Sequence, residues 1–116
     1  CAVARRHLEL LDELAVLANV RARSAELQSM LDARVAPHRA VREVRLQGLM
    51  GGIELAPPRD GLRWGRRVCA AAVERGVLLR PLGDVGVVMP PLTITSPELH
   101  RIVDALTDAL DEVAAA

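Results

Sequence analysis

Gly76-Val77-Leu78-Leu79-Arg80-Pro81-Leu82-Gly83-Asp84-Val85-Gly86-Val87-Val88-Met89-Pro90-Pro91 is the stretch on which the reading of this chain turns. Two apolar runs, Val77 to Arg80 and Val85 to Met89, flank Pro81-Leu82-Gly83-Asp84, which has the residue types of a turn. The pattern predicts two strands, the second stopped by Pro90-Pro91. Alternation along the first strand puts Arg80 on the face of Leu78, opposite Val77 and Leu79. A guanidinium at the rim of an apolar strand can hold a carboxylate through two parallel hydrogen bonds. Spacing alone favours a plainer account, an arginine reaching solvent from a strand end.

Outward from that hairpin the periods change. Ser96-Pro97 opens a helix, with serine expected to cap the free amides and proline in the first position. Its apolar stripe is Leu99, Ile102, Val103, Leu106, Leu110 and Val113. Upstream, Leu62 to Arg75 reads as a helix burying Leu62, Val68, Cys69, Ala72 and Val73, closed by Gly76 as a left-handed cap. Ala56 to Gly61 is a loop. Val41 to Leu46 and Leu49 to Leu55 read as an antiparallel pair, with Gly48, Gly51 and Gly52 permitting a turn, a bulge or a close backbone approach. Residues 2 to about 18 carry a helical stripe of Val3, His7, Leu10, Leu11, Leu14, Leu17 and Ala18. Asn19 is read as a bend, after which Val20, Leu27, Met30, Leu31 and Val35 continue to the stop at Pro37. Two helices or one bent one fit equally well. The sum is an α+β fold: an antiparallel sheet with helices packed on it.

The 116 residues suffice for one domain with a core. Half are hydrophobic, and fifteen arginines balance fifteen acidic residues, which argues against a nucleic-acid or anionic-membrane partner. No apolar run approaches the roughly 18 residues of a membrane span, and no leader is visible. Two cysteines, Cys1 and Cys69, are too few for a disulfide framework or a zinc site, so a reducing cytoplasm is expected. The chain contains no lysine, and Trp64 is its single aromatic residue. Chemistry that needs a lysine amine must come from elsewhere.

Few side chains suggest chemistry of their own. His7, His38 and His100 follow no metal-ligand spacing and read as surface or loop histidines. Asp12-Glu13 and Asp111-Glu112 are adjacent and point to different helix faces, so they read as solvated charges. Cys69 falls on a buried stripe and reads as a structural thiol. Gly48-Leu49-Met50-Gly51-Gly52 matches no dinucleotide or Walker spacing and precedes a strand, so it reads as packing rather than an anion cradle.

The order of these words carries a resemblance. Gly76 to Val85 followed by Val88-Met89-Pro90-Pro91-Leu92 resembles the carboxy-terminal signature of class III pyridoxal-phosphate aminotransferases. Val41-Arg42-Glu43-Val44-Arg45 with Gly48 to Leu55 looks like the hairpin of the same domain, and Cys1-Ala2-Val3-Ala4 with Leu8-Glu9-Leu10-Leu11 is similar to the helix leaving the catalytic domain. Within the class, the spacing from Arg80-Pro81-Leu82-Gly83-Asp84 to Met89-Pro90-Pro91 is most like the biotin-pathway subfamily, the diaminopelargonate aminotransferases. Those enzymes use S-adenosylmethionine as amino donor and 8-amino-7-oxononanoate as acceptor.

The resemblance implies the carboxy-terminal small domain of a dimeric fold-type I enzyme. Residues 1–36 would be a helical segment leading out of the large catalytic domain, and residues 37–116 the small domain. Pyridoxal phosphate, its lysine and its phosphate loop would be held by the large domain, so this part would be inactive alone. Arg80 matches the arginine that pairs with the substrate carboxylate in the subfamily. Leu82 matches a substrate-pocket position that is often phenylalanine there. Two other readings remain open: a class III transaminase for ω-amino acids with pyruvate or for diamines, and a free-standing α/β module with Arg80 as an anion anchor. A severed small domain is expected to expose the apolar stripe of residues 3 to 18.

Overall fold

The computed structural model describes residues 1–115. The last helix shows why the chain closes as it does: its stripe of Leu99, Val103, Leu106, Leu110 and Val113 is buried along one side, with Ala105 and Ala109 filling between them. Each large side chain taken from water contributes about 1.5–3 kcal/mol. The stripe shares one core with Val68, Cys69 and Ala72, with Ile53, Leu55 and Val88, and with Leu27, Leu31 and Val35.

The elements in chain order are α1 (Ala2–Glu13), α2 (Val16–Met30) continued by a π-helical turn (Leu31–Val35), β1 (Val41–Gln47), β2 (Met50–Leu55), α3 (Trp64–Glu74), β3 (Arg80–Leu82), β4 (Val85–Val88) and α4 (Ser96–Ala115). The four strands form one antiparallel sheet in the order β1-β2-β4-β3, so the architecture is α+β as the patterning predicts. Gly51, Ile53, Leu55, Gly86 and Val88 face inward. Their alternates, Met50, Gly52, Glu54, Val85 and Val87, belong to the opposite, open face.

Several expectations are corrected in detail. The amino-terminal helices break at Ala15, whose φ is 49°, and not at Asn19. Asn19 is inside α2, and its amide nitrogen donates to the carbonyls of Leu92 at 2.9 Å and Ile94 at 3.0 Å. It tethers α2 to the loop before α4. The irregularity in the hairpin lies between Val41 and Glu43 rather than at Gly51-Gly52. A Cβ on Gly51 would come within 3.1 Å of Leu46, so that glycine serves close packing.

α3 starts at Trp64, later than expected, because Arg63 takes a left-handed conformation (φ 52°), and Val73 is exposed rather than buried. Gly76 does cap α3: with φ 84°, its N–H reaches Val73 O and the Val77 N–H reaches Ala72 O, the paired bonds of a Schellman motif. α4 is capped by Thr95, not Ser96. The Glu98 carboxylate accepts from the Thr95 amide at 3.0 Å and from its hydroxyl at 2.8 Å, while the Glu98 amide donates back to Thr95 Oγ1 at 3.4 Å. The Ser96 hydroxyl donates instead to Glu26 on α2.

Candidate functional site

The strand expected from Val77 to Arg80 is displaced towards the carboxy terminus. Val77 to Leu79 run extended without pairing, and β3 consists of Arg80, Pro81 and Leu82. Only Gly83 and Asp84 make the turn, with Leu82 opposite Val85. Proline is tolerated because β3 is an edge strand, so its missing N–H costs no ladder bond. The facing is as expected: Val77 and Leu79 are buried, while Leu78 and Arg80 are exposed.

The register aligns Arg45 with Gly52, Gly52 with Val87, and Val87 with Arg80 in one row across all four strands. Arg80 and Leu82, two residues apart, therefore share the open face. Both line a concavity of about 610 Å³ that also includes Met50, Gly52, Val87 and Met89. The central position of the row is glycine, and the walls are mainly apolar.

Two guanidinium groups reach this hollow, and their circumstances differ. Arg45 is committed to its own face, 3.1 Å from Glu43 and 3.5 Å from Glu54. Arg80 makes no ion pair or side-chain hydrogen bond among the described residues. A planar fork with five donors thus stands at the edge of an apolar surface without a partner among the described residues. A guanidinium so placed can accept a carboxylate through two parallel hydrogen bonds.

The hairpin carrying Arg80 is seated by α3. A Cβ on Gly65 would fall 2.0 Å from the carbonyl oxygen of Gly83, so the first turn of α3 meets the β3–β4 turn only because residue 65 is glycine. Nothing in a helical periodicity singles out this contact.

The other candidates resolve into structural roles. His38 accepts the Ala40 N–H on Nδ1 at 3.0 Å, which places the proton on Nε2, 2.7 Å from Asp111. His100 Nδ1 lies 2.9 Å from the Ser96 carbonyl, and His7 is exposed. Asp111 and Glu112 are not merely solvated, since each pairs across the fold, with His38 and with Arg75. Cys69 is buried, and burial pushes its thiol pKa up, as suits an unreactive core thiol. Gly48 to Gly52 form a hairpin turn and a strand, with no helix N-terminus to cradle a phosphate.

Residues 1–110 match the family model for aminotransferase class-III. The chain belongs to that family. It is 40% identical over 118 residues to the adenosylmethionine-8-amino-7-oxononanoate aminotransferase of Nitratidesulfovibrio vulgaris, covering 95% of this chain and 21% of that protein. It is 31% identical to the diaminobutyrate–2-oxoglutarate transaminase of Halomonas elongata, covering 97% of this chain and 26% of that protein. Among solved structures, an aminotransferase of Vibrio fluvialis in its PMP-bound form superposes with a TM-score of 0.93 at 28% identity, over 99% of this chain and 27% of that one. The chain spans about a quarter of the length of the relatives it matches.

The class-III aminotransferases depend on pyridoxal phosphate. The sequence holds no lysine, and Gly51 and Gly52 lie within a strand.

Proposed function

We propose that this chain is the carboxy-terminal small domain of a longer, pyridoxal-phosphate-dependent transaminase that moves an amino group from S-adenosylmethionine to 8-amino-7-oxononanoate. Arg80 holds the acceptor's carboxylate and Leu82 lines the path of its carbon chain. The observation that carries this reading is the unpaired guanidinium of Arg80 at the edge of an apolar concavity. 8-Amino-7-oxononanoate has one carboxylate on an aliphatic chain, and that surface presents, among the described residues, one cation without an ion pair on an apolar wall. A dicarboxylate acceptor such as 2-oxoglutarate calls for a second free cation, and Arg45 is occupied by Glu43 and Glu54. Relatives that bear the adenosylmethionine-8-amino-7-oxononanoate name, at 31–40% identity, support the same choice.

Residues 1–36 act in this reading as the helical connection to the large domain, and residues 37–116 as the small domain. α1 buries none of its residues, which supports a partner surface there, while Leu27, Leu31 and Val35 anchor the connection in the small-domain core. The large domain supplies the cofactor, its lysine and the amino-transfer chemistry, and the residues described here bind and orient. The intact protein is then a homodimeric cytoplasmic enzyme.

An assay of the intact enzyme with paired donors and acceptors tests the reading. Amino transfer from S-adenosylmethionine to 8-amino-7-oxononanoate is expected, with little turnover of ω-amino acids and pyruvate. The reverse pattern makes this an ω-amino-acid transaminase and overturns the substrate assignment.

A further inference from the structure

We propose that a second hollow, between the β2–α3 loop and the C-terminal end of α4, binds a compact oxyanion carrying two or more charges. The hollow measures about 530 Å³ and is lined by Arg39, Arg59 and Arg67 together with Pro58, Leu62 and Trp64. It shares no lining residue with the concavity that carries Arg80.

Its charge balance is unusual for this chain. Fifteen arginines match fifteen acidic residues overall, yet among the described residues three guanidinium groups line this hollow and no carboxylate does. None of the three forms an ion pair among the described residues. Near the end of α4, Asp111 lies 2.7 Å from His38 and Glu112 pairs with Arg75 at 3.4 Å. Asp60, beside Arg59 in the loop, is not part of the lining.

Among the described residues, one internal counter-charge faces this hollow. The C-terminal end of α4 has no basic residue in its own last turn, and its free carbonyls are equivalent to about half a negative charge. Arg39 answers it by donating to the Ala114 carbonyl at 3.2 Å. Arg59 and Arg67 make no ion pair among the described residues, although Arg67 also borders Glu74 and Glu112 on its other side, and their planar forks suit paired oxygens of a phosphate or carboxylate. Pro58, Leu62 and the edge of Trp64 add an apolar wall for the body of an organic anion.

Calorimetric titration of the intact holoenzyme with inorganic pyrophosphate and with citrate, at about 50 mM salt, tests the site. One saturable site is expected, weakened about tenfold or more in an Arg59→Ser/Arg67→Ser variant and unchanged in Arg80→Ala. Both arginines are exposed, so the double variant should melt with the wild type. If it does not, the single Arg59→Ser variant, in the loop, carries the comparison. Tighter pyrophosphate binding identifies a phosphate-bearing ligand, and tighter citrate binding a polycarboxylate. Absence of saturable binding, or binding that survives loss of these arginines or depends on Arg80, overturns the proposal.

Discussion

Two glycines at opposite ends of α3 do different work, and substitution separates them. Gly76 is required for its backbone: φ of 84° disfavours any side chain, and the nearest atoms to an added Cβ belong to the flexible end of Arg101, 2.8 Å away. Gly76→Ala should therefore lower stability by about 1–2 kcal/mol in urea unfolding, without altering substrate binding. Gly65 is required for space. An added methyl meets the Gly83 backbone, which cannot give way without moving the hairpin that holds Arg80 and Leu82. In the intact enzyme Gly65→Ala should raise KM for the carboxylate substrate as well as lower stability by about 1–3 kcal/mol. A stability loss with unchanged KM would show that the hairpin's position does not matter to binding.

At the scale of elements, the start of α4 carries a pH dependence whose sign follows from its cap. Hydrogen bonds from the Thr95 hydroxyl and then the Thr95 amide hold the Glu98 carboxyl below its ordinary range. A carboxylate with a lowered folded pKa stabilises fully above the unfolded pKa, and that stabilisation is lost as pH falls through the folded value. Glu98→Gln should thus melt below the wild type at about pH 6, with the gap closing towards about pH 3. A gap that stays constant or widens in acid contradicts the cap.

Much of this element structure was legible beforehand. The α4 stripe, the buried side of α3, the β1–β2 pair and the exposure of Arg80 all follow from period and alternation. Thr95-Ser96-Pro97-Glu98 has the spacing of a capping box, but Ser96-Pro97 offers a second, equally regular helix start one residue later. The break at Ala15 was not legible, because a left-handed alanine carries none of glycine's signature. β3 was misplaced because proline normally argues against pairing, and its tolerance here depends on an edge position that only the sheet order reveals. At the candidate site, Arg80 and Leu82 could be named from their motif. That Arg45 pairs with Glu43 and Glu54 while Arg80 has no such pair among the described residues depends on which strands come together, as does the company of Arg39, Arg59 and Arg67.

The whole molecule measures 50 × 28 × 22 Å. α1 has no buried residue, and Val3, Leu8, Leu14 and Leu17 are all more than half exposed along the amino-terminal helices. Met50, Leu82 and Met89 add exposed apolar surface on the open face of the sheet. Exposed apolar surface of this kind is what a docking partner would cover. The 116-residue chain made alone should bind a hydrophobic dye and self-associate, and serine at positions 3, 8, 14 and 17 should reduce both. A monomer that binds no dye and melts sharply would favour the free-standing module.

The central claim is that the open face of this sheet reads a substrate carboxylate through Arg80, and steady-state kinetics of Arg80→Ala in the intact enzyme test it most directly. Loss of a paired, charge-assisted contact should raise KM for 8-amino-7-oxononanoate by about ten- to a hundredfold, with the cofactor's absorbance spectrum unchanged. An unaltered KM would contradict the account and return Arg80 to an ordinary arginine at the end of a strand.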